Sequence, residues 1–144
     1  MERPYRQRIR LVRQLTADAG ADAFLITHLP NIFYLSGFSG SAAALLIEPD
    51  RVTLFTDGRY MIQASEEARE ARVRIARGPL MVALGGHLKK WKKARVAFEP
   101  ARLSVAQHRE LGRAAGARIR WVELKNGIEG LRAVKDAEEI ALMR

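Results

Sequence analysis

The sequence predicts an α/β domain built on a mixed β-sheet flanked by helices. Three observations carry that expectation. Short apolar runs alternate with stretches of three-to-four-residue periodicity, the pattern of strands interleaved with helices. Two of the runs, 42–47 and 51–56, are separated only by Glu48-Pro49-Asp50, so they close as a hairpin and the sheet is not all parallel. A chain of 144 residues, 48% of them hydrophobic, suffices for one domain around one core.

The elements follow in order. Tyr5, Ile9, Val12, Leu15 or Thr16, and Ala19 form one apolar stripe, which predicts a first helix closed by Gly20. Ala23 to Thr27 is a buried strand. His28 to Asn31 punctuates the chain, and Ile32, Phe33 and Leu35 make a brief apolar segment ended by Ser36-Gly37. Residues 36–41, SGFSGS, are a flexible loop. The hairpin follows, with Phe55 out of phase in its second strand, and Asp57-Gly58 breaks it. Residues 59–71 are expected to be helical, 72–76 a strand, and 80–88 a helix opened by Gly78-Pro79. A strand is expected at Val96 to Phe98 and a turn at Glu99-Pro100. Ser104 is placed to cap a helix running to about Ala115, with Gly116 closing it. Ile119 to Leu124 is the last strand and Asn126-Gly127 a turn. A Gly-rich link at 126–131 then precedes an amphipathic helix whose first turn carries Asp136 and two glutamates. That helix meets the end of the sequence in mid-pattern, which is expected of a chain cut from something longer.

Composition removes several classes of function. The absence of cysteine excludes disulfides and thiolate metal sites. No apolar run approaches the ~20 residues of a membrane span. The basic start lacks the apolar core of an export signal, so a cytoplasmic location is expected. The net charge of +9 is uneven: residues 1–72 balance nine basic against nine acidic side chains, and residues 73–144 hold sixteen against seven. That excess fits a nucleic-acid surface, an acidic protein partner, or a solvated face.

Chemistry-bearing patterns are sparse. His28, His87 and His108 stand apart, with no HExxH, so neither a metal set nor any catalytic residue is expected. Ser36, Ser39 and Ser41 share one loop with His28 nearby, but no partnered acid makes them nucleophiles; small residues in a tight loop explain them. Gly37 and Gly40 follow a helical segment and precede a strand, the reverse of a dinucleotide fingerprint. Lys89, Lys90, Lys92, Lys93 and Arg95 surround Trp91, a possible basic patch for phosphates with a ring to stack. At helical spacing, however, Leu88 and Trp91 share a face, which makes Trp91 a core anchor among solvated lysines.

Three segments taken together resemble one family: NIFYLSGFSGSAAALLI at 31–47, LFTDGRYMIQA at 54–64, and LRAVKDAEEIALMR at 131–144. In this order and spacing they are similar to the creatinase/prolidase/Xaa-Pro aminopeptidase family, the pita-bread metallopeptidases. The helix and strand through residue 27 fit as well, so the resemblance spans the chain. It implies an amino-terminal domain with a ribonuclease-H-like motif, residues 1–127. Residues 128–144 are then a link and the start of the first helix of a catalytic domain. In such a parent, two divalent metals (manganese, cobalt or zinc) are bound by Asp, Glu and His of that catalytic domain, and none of these ligands carries over here. The resemblance also implies partners: the chain's own catalytic domain, a second subunit in a dimer or tetramer, and a proline-containing peptide. The TDGRY form at Thr56 to Tyr60 is closer to the Xaa-Pro aminopeptidase/prolidase branch than to creatinase, which uses no metal. Phe38, Ser39, Gly40, Arg59 and Tyr60 are the expected interface or substrate-mouth residues. Each has a local alternative: Phe38 folded into its own core, Arg59 paired with Asp57, Tyr60 stapling its helix. The competing function is a standalone basic module that contacts nucleic acid or an acidic protein.

Overall fold

The computed structural model describes residues 4–125 and 127–133. Its centre is a six-stranded mixed sheet of order β4-β3-β2-β1-β5-β6. The strands are β1 (Ala23–Ile26), β2 (Ala43–Ile47), β3 (Val52–Asp57), β4 (Arg72–Ala76), β5 (Ala94–Phe98) and β6 (Ile119–Glu123). β1, β2 and β3 are antiparallel neighbours, while β4 adds parallel to β3, β5 to β1 and β6 to β5. The helices are α1 (Tyr5–Asp18), α2 (Leu29–Ser36), α3 (Met61–Glu67), α4 (Leu80–Lys89) and α5 (Val105–Ala115).

Helices cover both faces, which explains the hydrophobic pattern. Phe24 and Ile26 of β1 face one core layer with Ile9 and Val12 of α1 and Ile32 and Leu35 of α2. Ala23 and Leu25 face the other, with Leu84 and Leu88 of α4 and Leu111 of α5. A strand buried on both faces need not alternate. Phe55 therefore breaks no phase: Leu54 enters the first layer and Phe55 the second.

Local chemistry sets most boundaries. Thr16 on the buried stripe of α1 donates its hydroxyl to the Val12 carbonyl at 2.7 Å, so its polar group is satisfied inside the core. Ser104 and Gln107 form the reciprocal capping box at the start of α5. Gly85 lets α4 and α5 approach closely, because a Cβ there would lie 2.4 Å from the Ala114 Cβ.

Three elements differ from expectation. α2 begins at Leu29, with Pro30 in the first turn, where no backbone N–H is needed. The expected helix at 59–71 is a 3-10 turn, Gly58–Tyr60, followed by α3, which stops at Glu67. Ala68, fully packed in the first core layer, leaves helical geometry so that β4 can return beside β3. Residues 127–133 are helical where a link was expected, and Ile128 is completely buried in the first layer. The helix expected from Asp136 lies outside the described residues.

Candidate functional site

Two polar regions stand out. The first is a corner where the 36–41 loop meets the 3-10 turn and α3. Gly37 at φ +85 caps α2 in the left-handed region, and turns the chain into the loop. Phe38 then drops into the core at 1% exposure, its ring edge-on to Tyr60 at 5.6 Å. Gly40 lies over that ring so closely that a Cβ would sit 2.3 Å from it. Of the two roles open to Phe38, the core one is what the structure shows. Ser39 is exposed; its N–H and hydroxyl donate to the Glu67 carboxylate at 2.9 and 3.0 Å, and Gln63 donates to both residues. The Ser39 backbone N–H is the main reason the Glu67 carboxyl sits below its ordinary range, against the cost of burial and helped by the Gln63 and Ser39 side chains. Tyr60 and Ser41 share a hydroxyl hydrogen bond.

Arg59 takes its local option. Its Nε and NH2 donate to the two carboxylate oxygens of Asp57 at 3.0 and 2.8 Å, a bidentate pair on the surface. Beside it, Met61 and Ile62 are exposed at 54% and 71%.

The second region lies at the carboxyl ends of parallel β1 and β5, the edge where open α/β sheets commonly bind ligands. His28 follows β1, Glu99 follows β5, and Lys125 follows β6. Asn31, wholly buried on α2, organises the region. Its amide nitrogen donates to Glu99 at 3.1 Å and Glu129 at 3.2 Å, and its carbonyl oxygen accepts from Arg132 at 3.0 Å. Arg102 donates to Glu129 at 3.1 Å. Glu99 is only 4% exposed; burial, then the hydrogen bond and charge of Glu129, push its carboxyl up to about 7. Burial opposes the Glu129 carboxylate too, but bonds from Glu99, Asn31 and Arg102 outweigh it and hold that carboxyl low. The two shifts run in opposite directions, as expected of neighbouring carboxyl groups held by one buried amide. A groove of about 390 Å³ opens beside it, lined by Glu99, Pro100, Arg102, Lys125 and Glu129 among others.

This region does not fit a metal pair. Among the described residues, no three His, Cys, Asp or Glu side chains converge as a metal-ligand group. The two glutamates are instead held by the Asn31 amide, with Arg102 also donating to Glu129. In residue order the network is hidden, because Glu99-Pro100 reads as a turn and Glu129 as part of a link. The available signal was a glutamate placed directly after a strand buried on both faces.

The remaining candidates are dispersed. Trp91 is half-buried against the second core layer, while Lys89, Lys90, Lys92, Lys93 and Arg95 are exposed around it. His87 stands edge-on between Phe55 and Trp91; burial, then nearby Arg74, Lys90 and Arg51, lower its pKa. His28 is likewise lowered, first by burial and then by Arg102. His108 is packed between Phe98 and Trp121. No helix among the described residues is long and apolar enough to cross a membrane.

A family model for the creatinase/prolidase N-terminal domain matches residues 8–134. The chain belongs to that family. Among solved structures it is similar to the N-terminal, creatinase/prolidase-like domain of a Corynebacterium diphtheriae protein described as a metallopeptidase. The two are 36% identical with a TM-score of 0.78, over 85% of this chain and 98% of that one. The N-terminal domain of the cytoplasmic peptidase PepQ from Mycobacterium tuberculosis H37Rv is 35% identical, with a TM-score of 0.78, over 88% and 98% of the two chains. Among curated proteins, the uncharacterized peptidase YqhT of Bacillus subtilis (strain 168) is 26% identical over 136 residues. That match takes in 94% of this chain but only 38% of YqhT. The creatinase-type domain therefore corresponds to the N-terminal part of Xaa-Pro peptidase-family proteins, and its mixed sheet is that of its structural neighbours.

Proposed function

We propose that this chain is the non-catalytic N-terminal domain of a cytoplasmic, proline-specific metallopeptidase, an Xaa-Pro aminopeptidase or dipeptidase. In that role it supports assembly and shapes the active-site mouth of a neighbouring subunit. The observation that carries this is the corner at the 36–41 loop. There Ser39, Arg59 and Tyr60 are held by hydrogen bonds and Gly40 lies against the Phe38 ring, and two large apolar side chains, Met61 and Ile62, are left in water beside them. Such a step of apolar surface on a polar rim suits a protein contact. Hydrolysis, with its two divalent metals and the proline-containing peptide, belongs in this account to a separate catalytic domain. In this account residues 127–133 go with the N-terminal domain, a reading supported by the burial of Ile128 in its core.

Two measurements test the proposal. The purified chain with added manganese should not hydrolyse an Xaa-Pro dipeptide or tripeptide; chelator-sensitive turnover would refute its non-catalytic role. Sedimentation should show self-association that Ile62→Asp weakens. A wild-type chain that stays monomeric at high micromolar concentration removes the assembly role.

The basic second half supports one other account, contact with nucleic acid or an acidic protein through Lys89 to Arg95. Trp91 is committed to the core layer, so that contact would rest on phosphate or carboxylate charge rather than stacking. Steeply salt-dependent binding to single-stranded RNA or DNA would favour it.

A further inference from the structure

Residues 127–133 contribute one core residue, Ile128, and two charged side chains, Glu129 and Arg132, to the sheet's end. Both charged groups converge on the same buried amide, Asn31, which also holds Glu99. The segment is therefore fastened by a polar contact as well as an apolar one. We propose that Glu99 and Glu129, bridged by Asn31, form a proton-operated clasp that holds residues 127–133 against the end of the sheet and loosens as the pH rises. The inference concerns this chain alone and stands whether or not the chain serves a peptidase.

The geometry favours a proton in this place. Two carboxyl groups accept from one amide nitrogen, and the inner one is 4% exposed. With one proton, Glu99 donates an O–H to the Glu129 carboxylate, and every group has a partner. When a solvent base removes that proton, the O–H···O bond is lost and two carboxylates face each other in a poorly solvated space. The charged groups around the pair come from every adjoining element. Arg102, following β5, bonds Glu129, and Arg132 bonds Asn31. Lys125 lines the same groove. His28, after β1, is biased towards neutrality by burial and by Arg102, so it adds little charge near neutral pH. The Arg102 guanidinium and the Asn31 amide keep Glu129 ionised, which leaves Glu99 as the partner that carries the proton.

The direction follows from linkage. The Glu99 carboxyl lies at about 7 in the clasped state against 4.5 in the ordinary one. Its contribution is complete below the ordinary value and is lost as pH rises towards the clasped value. Amide hydrogen exchange on the 144-residue chain, corrected for intrinsic rates, reads this directly. In wild type, the opening equilibrium of residues 127–133 should rise by up to about tenfold per pH unit between roughly 5 and 7, then level off. Glu99→Gln retains a donor to Glu129 and an acceptor for Asn31 without a titrating proton, and should stay protected with no slope. A flat wild-type profile, or an unchanged slope in Glu99→Gln, overturns the clasp. Amides of β1 and β2 report whether the variant is folded. Carbon-13 titration of the wild-type carboxyl groups needs no variant: a Glu99 titrating near neutrality supports the clasp, and one titrating as an ordinary carboxyl overturns it.

Discussion

The corner at the 36–41 loop and the clasp at the sheet's end are both polar, yet they are built in opposite ways. The corner draws on residues 38–67, close in sequence, and leaves most of its polar atoms in water. The clasp joins residue 31 to residues 99, 102, 129 and 132 and keeps its central amide dry. At the corner the energy lies in Phe38 beneath it, and the exposed polar groups only set its shape. At the clasp the polar groups are themselves part of the interior, where an unpaired donor or acceptor is costly. An exposed site tolerates substitution and is free to meet a partner; a buried one binds the chain to itself.

The largest effect should come from the corner's hidden half. Phe38→Ala empties a site that is 1% exposed and should lower stability by about 3–5 kcal/mol in chemical denaturation. A loss below about 1 kcal/mol would mean that the ring does not anchor the loop. Next comes Asn31→Ala, which strips a partner from Glu99, Glu129 and Arg132 together. It should cost about 1–3 kcal/mol, and the loss of protection should extend to residues 127–133. An Asn31→Ala protein as stable as wild type would make the network ornamental.

The pH responses should run in opposite directions. The Glu67 carboxyl is held below its ordinary value of 4.5, so its hold on Ser39 is present above that value and lost as acid protonates it. Glu99 is raised, so its contribution fades as pH rises towards 7. Amides of the 38–41 loop should therefore lose protection in acid, and those of 127–133 towards neutral pH. Both segments loosening in the same direction would contradict the contrast. The smallest effect is expected from Arg59→Ala. The Arg59–Asp57 pair is local and solvent-exposed, so the denaturation midpoint should not move. A measurable shift would show that Arg59 supports the fold rather than the surface.

How much of this was legible in residue order depends on distance along the chain. Ser104 with Gln107 three residues on, Gly20 after the α1 stripe, and the hairpin around Pro49 are local devices, and all appear in place. Helix ends that depend on neighbours were misjudged. α3 stops at Glu67 because Ala68 is needed in the core, and 127–133 is helical with Ile128 packed into the same core layer. Of the candidate site residues, Ser39 and Arg59 are exposed, Tyr60 is half-exposed, and Phe38 is buried. Its position beside two glycines was visible; its direction was not, since that depends on whether Gly40 lies over the ring.

Residue order alone decided the α/β alternation, the hairpin, the capping signals, the basic second half and the family resemblance, because each is a local pattern or a fixed composition. Tertiary structure alone decided which face each apolar residue of the doubly covered strands joins, and that Glu99 and Glu129 meet at the buried Asn31 amide. Glutamates thirty residues apart meet at one amide only when folding brings both carboxyls to Asn31 and removes the water around it.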